Sequence, residues 1–179
     1  MLPTLLIAVC VVLRIVPHPP NFAPVGAMAV FAGRTLKPAA AFGLVIVAMF
    51  LGDVVLAWLR GYSVVSLVTP FIFGGFLLQA WLGRRLRSRT GGAIGAALLG
   101  SLGFFLLSNF GVWVAGALYA HTAAGLGDCY VEAIPFFGAT VLGDVVWTVV
   151  LNALYRPAGV RLERRSFWVP VPMKELGIV

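Results

Sequence analysis

Two carboxylates stand inside apolar runs, each within the same five residues: Leu51-Gly52-Asp53-Val54-Val55 and Leu142-Gly143-Asp144-Val145-Val146. An ionisable side chain in such surroundings is costly, and it is kept for an ion pair, a ligand or a proton. Arg14 is a natural ionic partner for Asp53, so a register-fixing pair Arg14–Asp53 and a ligand contact are both open there. Asp144 has no basic residue near it in the pattern, which favours ligand contact or protonation. A second polar set surrounds them. His18 and Asn21 sit between prolines in Pro17-His18-Pro19-Pro20-Asn21-Phe22-Ala23-Pro24. Asn109, Trp113, Tyr119, Cys129 and Tyr130 cluster later, and aromatic walls with a few polar groups are the material of small-molecule pockets.

Other chemistries have less behind them. His18, His121 and Cys129 are metal-ligating types, but their spacing matches no metal site, and the chain is read as needing no metal and no cofactor. No G-x-x-x-x-G-K-[ST], H-E-x-x-H or G-x-S-x-G occurs, so nucleotide hydrolysis through a P-loop is excluded and catalysis has no local motif. The chain is therefore read as not an enzyme. A membrane enzyme using Cys129 or His121 on a substrate at the outer face is the alternative from that class. Cys10 lies in an apolar run and Cys129 among polar residues, which argues against a disulfide between them.

The elements that must position these groups follow from composition. Of 179 residues 61% are hydrophobic and 11% charged, with a mean hydropathy of +1.01. A soluble domain is closer to half apolar and a quarter charged. This is the composition of an all-α integral membrane protein of one domain, residues 1–179. The net charge of +7 reflects the placement of arginines relative to a bilayer rather than nucleic-acid binding.

Apolar runs predict spans over Leu2–Val16, Pro24–Leu36, Pro38–Leu59, Val64–Leu82, from Gly92 to about Ser108, and Ile134–Tyr155. The first run lacks a basic leader and an A-x-A-like cleavage site, so it reads as a retained helix. The proline knot stops it near Val16 and lets the next restart at Pro24. The second run is short, either a tilted span or a half-helix. Pro70 predicts a kink in the fourth. Gly111–Ala133 reads as a long outer loop without Lys or Arg. Residues 156–179 read as a basic tail, with Phe167-Trp168 suited to the lipid interface.

Eleven of the thirteen basic residues fall on one side of a six-span topology: Arg34, Lys37, Arg84, Arg85, Arg87, Arg89, Arg156, Arg161, Arg164, Arg165 and Lys174. Only Arg14 and Arg60 fall on the other. The positive-inside rule then places both termini in the cytoplasm. The Arg84–Arg89 cluster serves as that topology signal, with anionic lipid as its other use. Small residues at Gly92, Ala96 and Gly100, and at Ala29 and Gly33, mark close helix packing, either within the chain or against a partner. Asn21-Phe22 and Asn109-Phe110 precede the two Leu-Gly-Asp-Val-Val copies at similar distances. An internal duplication and chance recurrence are both open.

The run Arg14-x-x-Pro17-His18-Pro19-Pro20-Asn21-Phe22-x-Pro24-x-Gly26-Ala27, with Leu51-Gly52-Asp53, Asn109-Phe110-Gly111-Val112-Trp113, Cys129-Tyr130-x-x-Ala133-Ile134-Pro135-Phe136-Phe137 and Leu142-Gly143-Asp144, resembles an uncharacterised family of small bacterial membrane proteins. That family in turn resembles the substrate-binding S-components of energy-coupling factor vitamin transporters, through size, six helices, cytoplasmic termini and a proline-rich first loop. The resemblance implies a six-helix transmembrane bundle in the bacterial inner membrane. It implies a vitamin or related nutrient bound near the outer face, and an energising module of coupling subunit and ATPases as partner. Such docking uses an alanine-x-x-x-alanine pair on the first helix, where this chain offers only Ala8. The reading that results is a nutrient-binding transport protein using His18, Asn21, Asp53, Asn109, Trp113, Tyr119, Cys129, Tyr130 and Asp144. A proton-coupled carrier using Asp53 and Asp144 is the alternative.

Overall fold

The computed structural model describes residues 2–16, 19–61, 63–116 and 118–166. They form six helices: α1 (Leu2–Ile15), α2 (Val25–Thr35), α3 (Pro38–Arg60), α4 (Thr69–Arg85), α5 (Gly92–Ala115) and α6 (Ala123–Ser166). Among the described residues three segments are long and apolar enough to cross a membrane: Pro38–Arg60, Gly92–Ala115 and Ala123–Tyr155. Their outward faces remain apolar. On α3, Ile46, Val47, Phe50, Val54 and Trp58 are all exposed, Trp58 at 83%. A helix that is apolar outside as well as inside is at home in lipid, and the protein is a membrane protein in this sense.

Prolines and glycines set the boundaries. α1 ends before Pro17, and α2 follows Pro24. Pro38 and Pro70 occupy the first turns of α3 and α4, where a missing N–H costs nothing. Pro70 therefore starts α4 and is not the site of the kink expected in a longer segment. Gly61 closes α3 at φ 73° and Gly91 opens α5 at φ 69°, left-handed conformations that glycine adopts without strain.

The core is the short helix α2. Every residue from Val25 to Gly33 is buried. At 1.5 Å per residue its 11 residues span about half of a hydrocarbon layer, and its surroundings are other helices rather than lipid. It packs against α1, α3, α4, α5 and α6. Met28, Ala29, Phe31 and Ala32 meet Ala41, Leu44, Val45, Ala48 and Met49 of α3, and Ala80 of α4. Small residues make this crowding possible. A methyl at Gly33 would overlap the Ala80 carbonyl, and one at Gly83 would overlap that of Val30. The small-residue faces of α2 and α5 thus pack inside this chain.

The expected loop Gly111–Ala133 is mostly helix. α5 continues to Ala115 and α6 begins at Ala123, running on through Pro135 and Pro157 to Ser166. The Thr122 hydroxyl accepts the Gly125 N–H at 3.1 Å, a side-chain cap that starts α6. The segment 156–166, read as tail, is the last part of α6.

Basic residues segregate. Arg34, at the end of α2, donates to the Leu86 and Arg87 carbonyls just past α4. Arg14 and Arg60, at the ends of α1 and α3, line one cavity at the other end of the helices.

Candidate functional site

The site is assembled around Asp144. Thr140, Asp144, Thr148 and Asn152 recur every four residues and so share one face of α6. Asp144 is only 3% exposed, and Gln79, Ser101 and Thr148 are fully buried. The Asp144 Oδ2 accepts the Gln79 Nε2 proton at 2.8 Å and lies 2.7 Å from Ser101 Oγ. Ser101 Oγ is also 2.8 Å from the Ala97 carbonyl. With a single proton to give, it favours the carboxylate, the stronger acceptor. The Ala27 backbone amide bonds the same carboxylate. No side chain from its own N-cap serves α2, so a residue of α6 supplies the negative group that a helix N-terminus stabilises. Asp144 is held by neutral donors and a helix end, with no cation paired to it among the described residues.

Above this cluster lies a cavity of about 520 Å³, lined on its polar side by Arg14, Asn21, Arg60, Gln79, Thr140 and Asp144. Its apolar wall includes Met49, Leu56, Ile72 and the ring pair Phe76–Phe104, with centroids 4.6 Å apart. Gln79 donates one amide proton to Asp144, and among the described residues its Oε1 is buried without a hydrogen-bond partner. An unpaired buried acceptor costs about 1–3 kcal/mol. At a cavity wall it is a place for a bound donor. Asn21 holds φ 62°, a left-handed conformation that Asn tolerates better than most residues. Here Asn21 and Ala23 of the proline segment line the cavity. Gly143 lets that segment lie close, since a β-carbon there would stand 3.2 Å from Phe22 Cα.

The two Leu-Gly-Asp copies do different work. Asp53 Oδ1 is 2.7 Å from Arg14 Nη2, with the two side chains 20% and 16% exposed. Arg14 Nη1 also donates to Met49 Sδ at 3.2 Å. Gly52 makes room for this, because a β-carbon there would lie 2.9 Å from Arg14 Cδ. Asp53 stands behind the cavity wall, and Arg14 reaches both.

The remaining sequence candidates separate. His18 lies outside the described residues. Asn109 and Asn21 both line an adjoining cavity of about 240 Å³ that shares Ile72, Phe104 and Thr140 with the first. Trp113, Tyr119, Cys129 and Tyr130 line neither. They secure the α5–α6 connection instead. Trp113 Nε1 donates to the Ala120 carbonyl at 2.9 Å and its ring meets His121 edge-on. Tyr119 donates to Glu132 at 2.8 Å. That carboxylate bond raises the Tyr119 pKa above its ordinary value. Cys129 is buried with Sγ against the Asn109 carbonyl, and Tyr130 donates to the Leu106 carbonyl at 2.8 Å. Among the described residues no three or more His, Cys, Asp or Glu side chains gather as a metal site would require.

Sequence reasoning passed over Gln79 and Ser101. Gln79 is the one amide, hydroxyl or charged side chain between Pro70 and Arg84. A lone amide in an apolar helix was the available signal.

Residues 1–166 fit a family described as "Family of unknown function (DUF6580)". No curated protein and no solved structure matches the chain.

Proposed function

The chain belongs to the DUF6580 family of unknown function, and we propose that it is a membrane transport protein that binds a small organic nutrient in the cavity above Asp144. One observation carries this reading: an apolar-walled cavity of about 520 Å³ ends on a buried polar cluster in which the Gln79 Oε1 has no partner among the described residues. Pockets that orient small molecules combine such walls with a few placed polar groups. The chemistry of the wall suits a ligand with an N–H or O–H for Gln79, an aromatic or aliphatic body against Phe76, Phe104 and Ile72, and an acceptor or acidic end toward Arg60. On this reading the ligand is a nutrient of the vitamin class and the chain an S-component-like six-helix bundle in the bacterial inner membrane. The charge asymmetry, by the positive-inside rule, turns the Arg14–Arg60 end outward and both termini inward. Import by that route requires a separate energising module.

A second reading is a proton-coupled carrier. What favours it is that Asp144 is buried among neutral donors and has no cationic partner among the described residues. Uptake by such a carrier collapses with the proton gradient and needs no ATPase.

The test is native mass spectrometry of the purified protein for a co-purified small molecule, followed by a thermal-shift screen of vitamins and cofactors. A retained organic ligand, displaced in Gln79→Leu, supports the reading. A protein that carries nothing, shifts with nothing and transports nothing in cells overturns it.

A further inference from the structure

At the opposite end of the helices from Arg14 and Arg60 lies a second cavity, of about 430 Å³, lined by Arg34, Arg89, the first turn of α5, and Thr148 and Asn152 of α6. Three independent features converge on it. The first is the start of α5. Gly91 takes the left-handed conformation, and no side chain caps the helix. The Gly92 N–H is taken by the Arg89 carbonyl at 2.9 Å, and the first-turn amides of Ala93 and Ile94, with the helix dipole, give that point a positive partial charge.

The second is a fixed guanidinium. Arg34 donates from Nη1 to the Leu86 carbonyl at 3.1 Å and from Nη2 to the Arg87 carbonyl at 3.3 Å. These bonds hold it beside the helix start, where a β-carbon at Gly92 would stand 3.3 Å from Arg34 Nη1. Arg89 adds a second guanidinium from the α4–α5 turn, and no carboxylate is among the described lining residues.

The third is Thr148. It is fully buried and lines the cavity, yet among the described residues its hydroxyl has no hydrogen-bond partner. Buried hydroxyls are normally paired. Beside two cations and a helix N-terminus, the missing partner is an acceptor with negative charge.

We infer that this cavity binds an oxyanion of the phosphate class, held by the Ala93 and Ile94 amides, Arg34 and Arg89, with the Thr148 hydroxyl donating from the floor. A phosphate offers several oxygens to donors that arrive from three directions, which a single-point halide does not. The site stands apart from the Asp144 cavity and does not depend on what that cavity binds. The same chemistry is available from a free phosphate or from a lipid headgroup.

The test uses the full-length protein, delipidated in neutral detergent. Inorganic phosphate is titrated at constant ionic strength against chloride, with melting temperature as readout. In parallel, native mass spectrometry scores retention of phosphatidylglycerol over phosphatidylcholine from mixed-lipid nanodiscs. Arg89→Gln and Thr148→Val are the variants, and Ala93→Pro removes one first-turn amide at a position where proline is tolerated. Saturable stabilisation by phosphate, weakened about tenfold by loss of one charge-assisted donor, identifies a free oxyanion. Selective phosphatidylglycerol retention that Arg89→Gln and Thr148→Val abolish, without a response to phosphate, identifies a lipid headgroup. No response to either probe, or responses that both variants leave unchanged, overturns the inference.

Discussion

Gly26 of α2 and Asp144 of α6 lie so close that a β-carbon at position 26 would overlap the carboxylate. The same β-carbon would stand 2.6 Å from Gln79 Oε1. The glycine is what lets the N-terminus of α2 reach the acid, and the Ala27 amide then bonds it. Gly26→Ala should therefore lower stability by about 1–3 kcal/mol, the cost of overfilling a packed site. Thermal unfolding in detergent checks this. Melting unchanged from the parent would mean that α2 has room to move away from α6.

The Arg14–Asp53 pair gives a second, separable test. The pair is partly buried, so removing one partner strands a charge that water reaches poorly. Asp53→Asn should destabilise the protein, and Arg14→Gln in the same background should restore part of the loss. The coupling expected for residues in direct contact is about 0.5–3 kcal/mol. Additive losses in the double-mutant cycle would show that the contact contributes nothing.

These two carboxylates also show how far the sequence could be read. Their rarity in apolar runs marked both as important, and Arg14 was legible as the partner of Asp53 because it is the only base near that end of the neighbouring helix. The Asp144 partners were not legible. Gln79 and Ser101 lie 65 and 43 residues away, and neutral donors give no charge signal to pair against. Helix starts and stops at Pro24, Pro38, Gly61 and Gly91 were visible because those residues restrict or free the backbone by themselves. The stretch around Thr122 to Ala133 was misread for a related reason. Its Gly, Asp and Thr content resembles a loop, but Thr122 caps and starts a helix whose inner face is set by contacts with α5 that a local pattern does not contain.

Tyr119 and Glu132 provide a pH-dependent signature of that corrected segment. The Tyr119 pKa is raised, first by its hydrogen bond to the Glu132 carboxylate. A group whose folded pKa lies above its unfolded one contributes stability below the unfolded value and loses it as pH rises through the folded value. The bond should hold through neutral pH and be lost only in the alkaline range. In an ultraviolet titration referenced to Tyr119→Phe, Glu132→Gln should bring the Tyr119 transition down toward its ordinary position. An unmoved transition would mean that the two side chains do not meet in solution.

The course of α6 fixes a topological prediction. Ala123–Tyr155 is one continuous apolar helix, and its 33 residues exceed the roughly 20 needed to cross a bilayer. Reporter fusions at Ala124 and at the C-terminus should report opposite sides of the membrane. With the basic clusters inside, the C-terminal fusion should be cytoplasmic. Two reporters on the same side would remove α6 as a span.

The last prediction separates the cavity from the aromatic cluster that the sequence also offered. Trp113 and Tyr130 contact the α5–α6 connection and line neither the 520 Å³ cavity nor its neighbour. Phe76 and Phe104 form the apolar wall, and Gln79 the polar floor. With a ligand from the screen in hand, Phe76→Ala should weaken binding by about 1.5–3 kcal/mol, the scale of burying one such side chain. Gln79→Leu should cost about 1–3 kcal/mol if the ligand donates to Oε1, because that donor is then left unpaired. Tyr130→Ala should lower stability and leave affinity within about twofold, since a side chain outside the site couples weakly to it. Isothermal titration on the three variants decides between the two locations. Affinity lost in Tyr130→Ala but kept in Phe76→Ala and Gln79→Leu would move the binding site to the α5–α6 connection.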